Sequence, residues 1–209
     1  MDKEGIKFFD QNIVRRGEIT DNGIHFFKGT NIPMPSIFEI SNSGMCNRKC
    51  VFCPRSDPNY NHVNEFISQE LHDKIYDELK INDFSGSVIF SGFVEPLLDK
   101  RIYKQIKDIR SKLPKANIEL ITNGDPLNHE RVEKLFDAGL SYLLVSAYDS
   151  EKQAIEFRNL LSKTNVEPSK YIVRNRYYGE EKDFGITISN RAGNMNNTEY
   201  KIESLKEPL

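Results

Sequence analysis

The sequence predicts an α/β protein, a partial (β/α)6 TIM-type barrel with parallel strands and a short N-terminal β extension. Three observations predict it. From residue 36 onward, short apolar runs alternate with amphipathic helical stretches, the pattern of strands paired in parallel through right-handed crossovers. Most of those runs are apolar almost throughout, as strands become when both faces are covered. Six such units fall short of the eight that close a full barrel.

The strand and helix signals follow in order. Ser36–Ser41 forms the first strand and runs into a cysteine-containing loop. Ser68 is an N-cap for a helix with Leu71, Ile75 and Leu79 on one stripe. Val88–Phe90 is the second strand. Its helix begins near Asp99, carries Ile102, Ile106, Ile109 and Leu113 inward, and stops at Pro114. Ile118–Ile121 is the third strand. The next helix is capped by Asn128, buries Val132, Leu135 and Phe136, and ends at Gly139. Tyr142–Val145 is the fourth strand, followed by a helix opening with the capping-box pattern Ser150-Glu151-Lys152-Gln153. Tyr171–Val173 and Ile186–Ile188 supply a fifth and a weaker sixth strand. The stretch to residue 35 does not fit this repeat. Glu18–Phe27, with Asp21-Asn22-Gly23 as a turn, reads as a β-hairpin. The expected organisation is an N-terminal extension over 1–35, a core domain over 36–194, and a tail over 195–209 that begins a further, missing extension.

Composition narrows the functions. With 209 residues the chain can bury a substantial core. Its hydrophobic residues, 38%, come in periodic blocks, which argues against disorder. Lys and Arg number 29 against 31 Asp and Glu, so no basic excess exists for phosphate contacts and no nucleic-acid partner is expected. No apolar run is long enough to span a bilayer. The N-terminus, MDKEGIKFFDQ, lacks the apolar stretch of a signal peptide. A cytoplasmic location without a membrane partner is expected.

The most specific feature is Cys46-x-x-x-Cys50-x-x-Cys53. The three cysteines of the chain fall within one short loop, which suits a metal or redox site rather than a disulfide framework. Four thiolates usually complete a [4Fe–4S] site. Three leave one iron open, and an open metal position can bind and activate a small molecule. Two other readings of these residues stand beside it: a structural zinc site with His62 as fourth ligand, and a non-catalytic iron–sulfur module.

Cys46-Asn47-Arg48-Lys49-Cys50-Val51-Phe52-Cys53-Pro54 resembles the signature of the radical S-adenosylmethionine (SAM) superfamily. That resemblance implies a [4Fe–4S] cluster and SAM as cofactors. It implies reductive cleavage of SAM to a 5′-deoxyadenosyl radical that abstracts hydrogen from a substrate, with electrons from a reductant such as flavodoxin or ferredoxin. It places Phe52 against the adenine. Phe90-Ser91-Gly92-Phe93-Val94-Glu95-Pro96 is similar to the family's GGE-type motif, implying that Gly92 and Glu95 help bind the SAM amino group. Val94 stands where a second glycine is common, so its backbone must keep ordinary φ/ψ. Thr122-Asn123-Gly124 resembles the family's TNG segment, with Asn123 near the ribose or substrate. Ser146 matches a serine that contacts the SAM ribose or carboxylate. Arg174 is placed to pair with that carboxylate.

Ser189-Asn190-Arg191-Ala192-Gly193-Asn194 resembles a segment of the SPASM/twitch branch, and ordinary Asn and Gly turn chemistry explains it equally well. No cysteine follows Cys53, so the auxiliary-cluster region of that branch is expected to be missing. The resemblance favours peptide modification or dehydrogenation of a sugar or aminocyclitol, with a small molecule, sugar or peptide as substrate. No catalytic acid, base or radical relay is singled out; Tyr148, Tyr177 and Tyr178 lie near the expected rim.

Overall fold

The computed structural model describes residues 25–50 and 53–176. Five strands, β1 (Ile37–Ile40), β2 (Ser87–Phe90), β3 (Asn117–Thr122), β4 (Tyr142–Ala147) and β5 (Tyr171–Asn175), form one sheet in that order. Every neighbouring pair is parallel. Between the strands run α1 (Gln69–Ile81), α2 (Ile102–Lys112), α3 (His129–Asp137) and α4 (Glu151–Ser162). Strand order that follows chain order is the wall of a barrel; a doubly wound sheet would reverse its order midway.

The two faces of the sheet differ in chemistry. Ile40, Val88, Phe90, Ile118, Leu120, Leu143 and Val145 pack with Tyr76, Leu79, Ile102, Ile106, Ile109, Val132, Leu135 and Leu161 of the helices in a single core. Burying each such side chain fully is worth about 1.5–3 kcal/mol. The alternate residues point the other way, as the two-residue period of a strand requires. They include Glu39, Ser87, Asn117, Glu119, Ser146 and Arg174. With Ile89, Ile121, Leu144 and Ile172 between them, they form a mixed face, the inside of the open barrel.

Capping accounts for most helix boundaries. Ser68, Asn128 and Ser150 each accept a backbone N–H of the first turn, from Leu71, Arg131 and Gln153. The capping box at α4 is displaced: Gln153 Oε1 accepts the N–H of Tyr148 and of Asp149, two residues and one residue before the cap. Leu113 ends α2 just ahead of Pro114. The inward stripe of α1 departs from expectation. His72, Tyr76 and Leu79 are buried, while Leu71 is 49% exposed. Ile75 and Leu79 of the expected stripe do pack on the core, and the buried Tyr76 ring lies edge-on to His72 at 4.5 Å.

Several expected features lie outside the described residues: the Asp21-Asn22-Gly23 turn, Phe52, the strand at Ile186–Ile188, the Ser189–Asn194 segment, and the boundary at 194/195. Within the described residues of the N-terminal stretch, Phe26 bridges Pro33 in antiparallel fashion. Phe27 and Ile32 close a turn there.

Candidate functional site

The loop after β1 carries Cys46, Cys50 and Cys53 to the C-terminal ends of the strands. The cysteines line one cleft with Ser91–Glu95 after β2, Ile121–Asn123 at the end of β3, and Tyr148 after β4. None of the three is in a disulfide, and all are partly exposed. The loop closes on itself through Cys53 N–H, which donates to Cys50 O, and Ser56 N–H, which donates to Cys53 O. Arg55 secures it from beneath. This residue is 5% exposed. Its Nη1 donates to Gly44 O at 2.8 Å and to Phe93 O at 3.3 Å, and its guanidinium stacks over Tyr60. One buried arginine thus ties the cysteine loop to the loop after β2.

The donor set suits a cluster better than a single ion. Three thiolates on one tetrahedral zinc sit about 3.8 Å apart, given Zn–S bonds of ~2.3 Å. Among the described residues, the groups whose ligand atoms all lie within 4.8 Å of one another comprise His72, Asp73 and Asp108, and not the cysteines. His62, the expected fourth zinc ligand, is exposed and rests against Tyr60. Three thiolates spread along one loop match three irons of a [4Fe–4S] cluster with one corner left open. The Cys50 thiol is pushed up to about 11, by burial above all, with Arg48 acting in the opposite sense. Iron binding there must displace a proton.

Glu95 is 1% exposed, and its carboxylate is the junction between two strand ends. Its Oε1 accepts the Leu97 N–H at 3.1 Å and the Thr122 hydroxyl at 2.7 Å. Its Oε2 accepts the Asn123 N–H at 2.8 Å. Burial pushes its pKa upward, and the three hydrogen bonds oppose that shift. The Glu95 N–H donates to Met45 O, beside the first cysteine. Ahead of it, Gly92 has φ +117°, and a Cβ there would stand 2.2 Å from Ser41 Oγ, which itself donates to Ser91 O. Only glycine fits. Asp83 is the one non-glycine residue with positive φ among the described residues. Val94 therefore keeps an ordinary backbone in place of a second glycine.

Asn123 lines the cleft, and its Nδ2 donates to Asn47 Oδ1 at 2.8 Å and lies 3.9 Å from Cys46 Sγ. Ser146 and Arg174 are register partners on β4 and β5. Arg174 Nη2 donates to Ser146 Oγ at 3.2 Å on the inner face. Of the residues expected from the sequence, the cysteines, Gly92, Glu95 and Asn123 share the cleft, and Ser146 and Arg174 adjoin it through Tyr148. Burial raises the pKa of Tyr148, and a hydrogen bond with Ser146 lowers it.

Sequence reasoning missed a second group. Arg48 lies between the first two cysteines, and its guanidinium is shared by two carboxylates. Its Nε and Nη2 donate to Asp125 Oδ2 and Oδ1 at 2.6 and 2.5 Å. Its Nη1 and Nη2 donate to Asp149 Oδ1 and Oδ2 at 2.6 and 2.8 Å. Asn47 Nδ2 also donates to Asp125, and Gln153 Nε2 to Asp149. One signal was legible: Asp125 and Asp149 each stand just past a strand end, on the rim that receives the cysteine loop.

A family model described as the Radical SAM superfamily matches residues 40–175. Among curated proteins, the chain is 26% identical over 162 residues to an S-adenosyl-L-methionine-dependent 2-deoxy-scyllo-inosamine dehydrogenase from Niallia circulans, covering 78% of this chain and 61% of that protein. Among solved structures, it is similar to BtrN in complex with AdoMet and 2-DOIA, with a TM-score of 0.66 and 24% identity, over 78% of this chain and 63% of that one. An open conformation of BtrN aligns with a TM-score of 0.53 and 22% identity, over 68% of this chain and 56% of the other. The chain thus spans about three fifths of the length of these relatives.

Proposed function

Because the chain belongs to the radical SAM superfamily, we propose that it binds a [4Fe–4S] cluster and SAM in this cleft and dehydrogenates an alcohol of an aminocyclitol or sugar. The observation that carries the reading is the convergence of three thiolates with the ends of β2, β3 and β4 in one cleft. The similarity to an aminocyclitol dehydrogenase favours dehydrogenation over peptide modification.

Cys46, Cys50 and Cys53 are the residues for the three irons. When bound, the cluster supplies one electron to the SAM sulfonium, giving methionine and a 5′-deoxyadenosyl radical that takes a hydrogen atom from the substrate carbon. An alcohol carbon that loses that hydrogen atom, then a proton and an electron, becomes a ketone. One SAM and one alcohol would thereby give one methionine, one 5′-deoxyadenosine, one ketone and one proton, with SAM as the net two-electron oxidant and the starting electron passed back to the cluster or its reductant.

The backbone carbonyls around Gly92 accept hydrogen bonds from the SAM ammonium, which needs acceptors. Glu95 holds those carbonyls level with the end of β3. Asn123 and Ser146 face the ribose or substrate, and Arg174 pairs with the SAM carboxylate. A flavodoxin or ferredoxin is the reductant. Among the described residues no helix is long and apolar enough to cross a membrane, which supports a cytoplasmic enzyme.

The test is anaerobic reconstitution with iron and sulfide, reduction with dithionite, and addition of SAM with 2-deoxy-scyllo-inosamine. The expected result is 5′-deoxyadenosine together with the ketone, both lost in Cys46→Ala. A fully loaded cluster that yields no 5′-deoxyadenosine overturns the radical reading. Cleavage of SAM without ketone overturns the substrate class alone.

A further inference from the structure

Arg48 makes four hydrogen bonds that no metal ligation requires. Its guanidinium has five N–H groups, and its Nε, Nη1 and Nη2 all donate, each aspartate being held bidentately. Asp125 follows β3 and Asp149 follows β4. The peptide between the first two cysteines is therefore fixed to two strand ends at once. In this fork the side chain of Arg48 is 17% exposed and that of Asp125 30%, with Asp149 more open at 57%, and bidentate guanidinium–carboxylate pairs are highly directional. Two further bonds tighten it. Asn47 donates to Asp125 and accepts from Asn123. Gln153 anchors Asp149 to the first turn of α4. Every contact in this network belongs to the protein alone.

We propose that Arg48 is a positioning residue: shared between Asp125 and Asp149, it sets the cysteine loop against the ends of β3 and β4 before the cluster is bound, and so fixes the loop relative to the SAM-binding strand ends. A loop ordered in advance does not draw its ordering entropy from cofactor binding. The inference rests on the functional reading above for its SAM-dependent consequence, but the ordering of the loop stands apart from it.

The experiment uses the full chain as wild type, Arg48→Gln, Arg48→Lys and the double variant Asp125→Asn/Asp149→Asn. In the metal-free proteins, amide hydrogen exchange over residues 44–50 reads loop order. At least tenfold faster exchange is expected there in Arg48→Gln and in the double variant, with the amides of β3 and α2 unchanged. Arg48→Lys is expected to resemble Arg48→Gln, since an ammonium keeps the charge but cannot serve two bidentate carboxylates.

After anaerobic reconstitution, the SAM concentration that half-saturates the change in the reduced cluster's electron paramagnetic resonance spectrum reads positioning. It is expected to rise at least tenfold in Arg48→Gln at equal iron content. Loss of stability alone would lower the melting temperature without moving that concentration. Unchanged exchange over 44–50 overturns the proposal, as does full rescue by lysine. If Arg48→Gln does not fold, the double variant, which keeps the arginine and two isosteric side chains, decides by the same exchange measurement. If the wild type shows no SAM-induced spectral change, the functional reading fails, and the exchange result still decides whether Arg48 orders the loop.

Discussion

Glu95→Gln separates two roles that one carboxylate can have. The structure gives Glu95 three donors and almost no exposure. Glutamine is isosteric but must turn an NH2 toward one of them. Directed at Oε1, it would face both Leu97 N–H and the Thr122 hydroxyl. Directed at Oε2, it faces Asn123 N–H alone, so that orientation costs less. One hydrogen bond to a charged acceptor is then lost, worth about 1.5–3 kcal/mol, and the other two weaken to neutral strength, about 1 kcal/mol less each. Against this, the substitution relieves the burial of an ionised carboxyl, whose pKa burial pushes upward, so the net loss is smaller than the sum of roughly 3.5–5 kcal/mol and is taken as about 2–3 kcal/mol. For a chain of this size that is roughly 5–10 °C in melting temperature.

The assay is urea and thermal unfolding of the metal-free protein, where no SAM is present to contribute. A melting temperature within 1 °C of wild type would refute the reasoning. It would show that the carboxylate is not needed between the strand ends and is free for a ligand. The predicted loss, by contrast, makes any fall in SAM cleavage by this variant a consequence of displaced strand ends.

Four smaller predictions follow from the same geometry. Gly92→Ala should lose about 1–2 kcal/mol from its positive φ and more from the contact with Ser41 Oγ; adding Ser41→Ala should restore only the second part in urea unfolding. Leu71→Ser should stay within about 0.5 kcal/mol of wild type, whereas Tyr76→Ala should lose about 3–5 kcal/mol, reversing the order expected from a Leu71 stripe. His72 is buried and its pKa is lowered, chiefly by desolvation. Below its ordinary value of 6.5 the unfolded chain takes up a proton that the folded one refuses, so stability falls with falling pH, by at most about 1.4 kcal/mol per pH unit; His72→Leu should flatten that slope between pH 5 and 6.5. Arg55→Met should melt lower by several degrees and load less iron at equal protein, because Gly44 O and Phe93 O lose their shared donor; iron content equal to wild type would refute the link.

What the sequence disclosed and what it hid divide along the range of the interactions. Strands and caps are local. Apolar runs, Ser68, Asn128 and Gly139 announce themselves within a few residues, and the structure uses each of them. The cysteine spacing is local too. The direction of an α-helical face is less so: of the stripe Leu71, Ile75 and Leu79, the last two pack on the core while Leu71 stays exposed, and His72 and Tyr76 are buried beside them. The supports of the cleft are non-local. Arg48 meets partners 77 and 101 positions away, Glu95 one 27 positions away, and Arg55 one 38 positions away. A lone arginine or aspartate carries no signal of such pairing, since most charged residues face solvent.

Those long-range supports share one logic. Each joins a loop at the end of one strand to a loop at the end of another: Arg55 joins the cysteine loop to the loop after β2, Glu95 joins β2 to β3, and Arg48 joins the cysteine loop to β3 and β4. Parallel strands leave their C-terminal loops with few backbone hydrogen bonds to one another, because ladder bonds stop where the strands stop; the Glu95 N–H to Met45 O bond is an exception. The apolar core reaches the loops only through residues such as Leu97 and Leu127, since it lies mainly on the helix-facing side of the sheet. Polar side chains are the remaining means of fixing them, and a buried carboxylate or guanidinium does so with high directionality at the cost of desolvation. The desolvation is offset only while every partner stays in place. Removing one partner therefore disturbs two strand ends together, and the cleft should respond to single substitutions here as a coupled unit, with double-variant effects at Glu95 and Arg48 departing from the sum of the single effects.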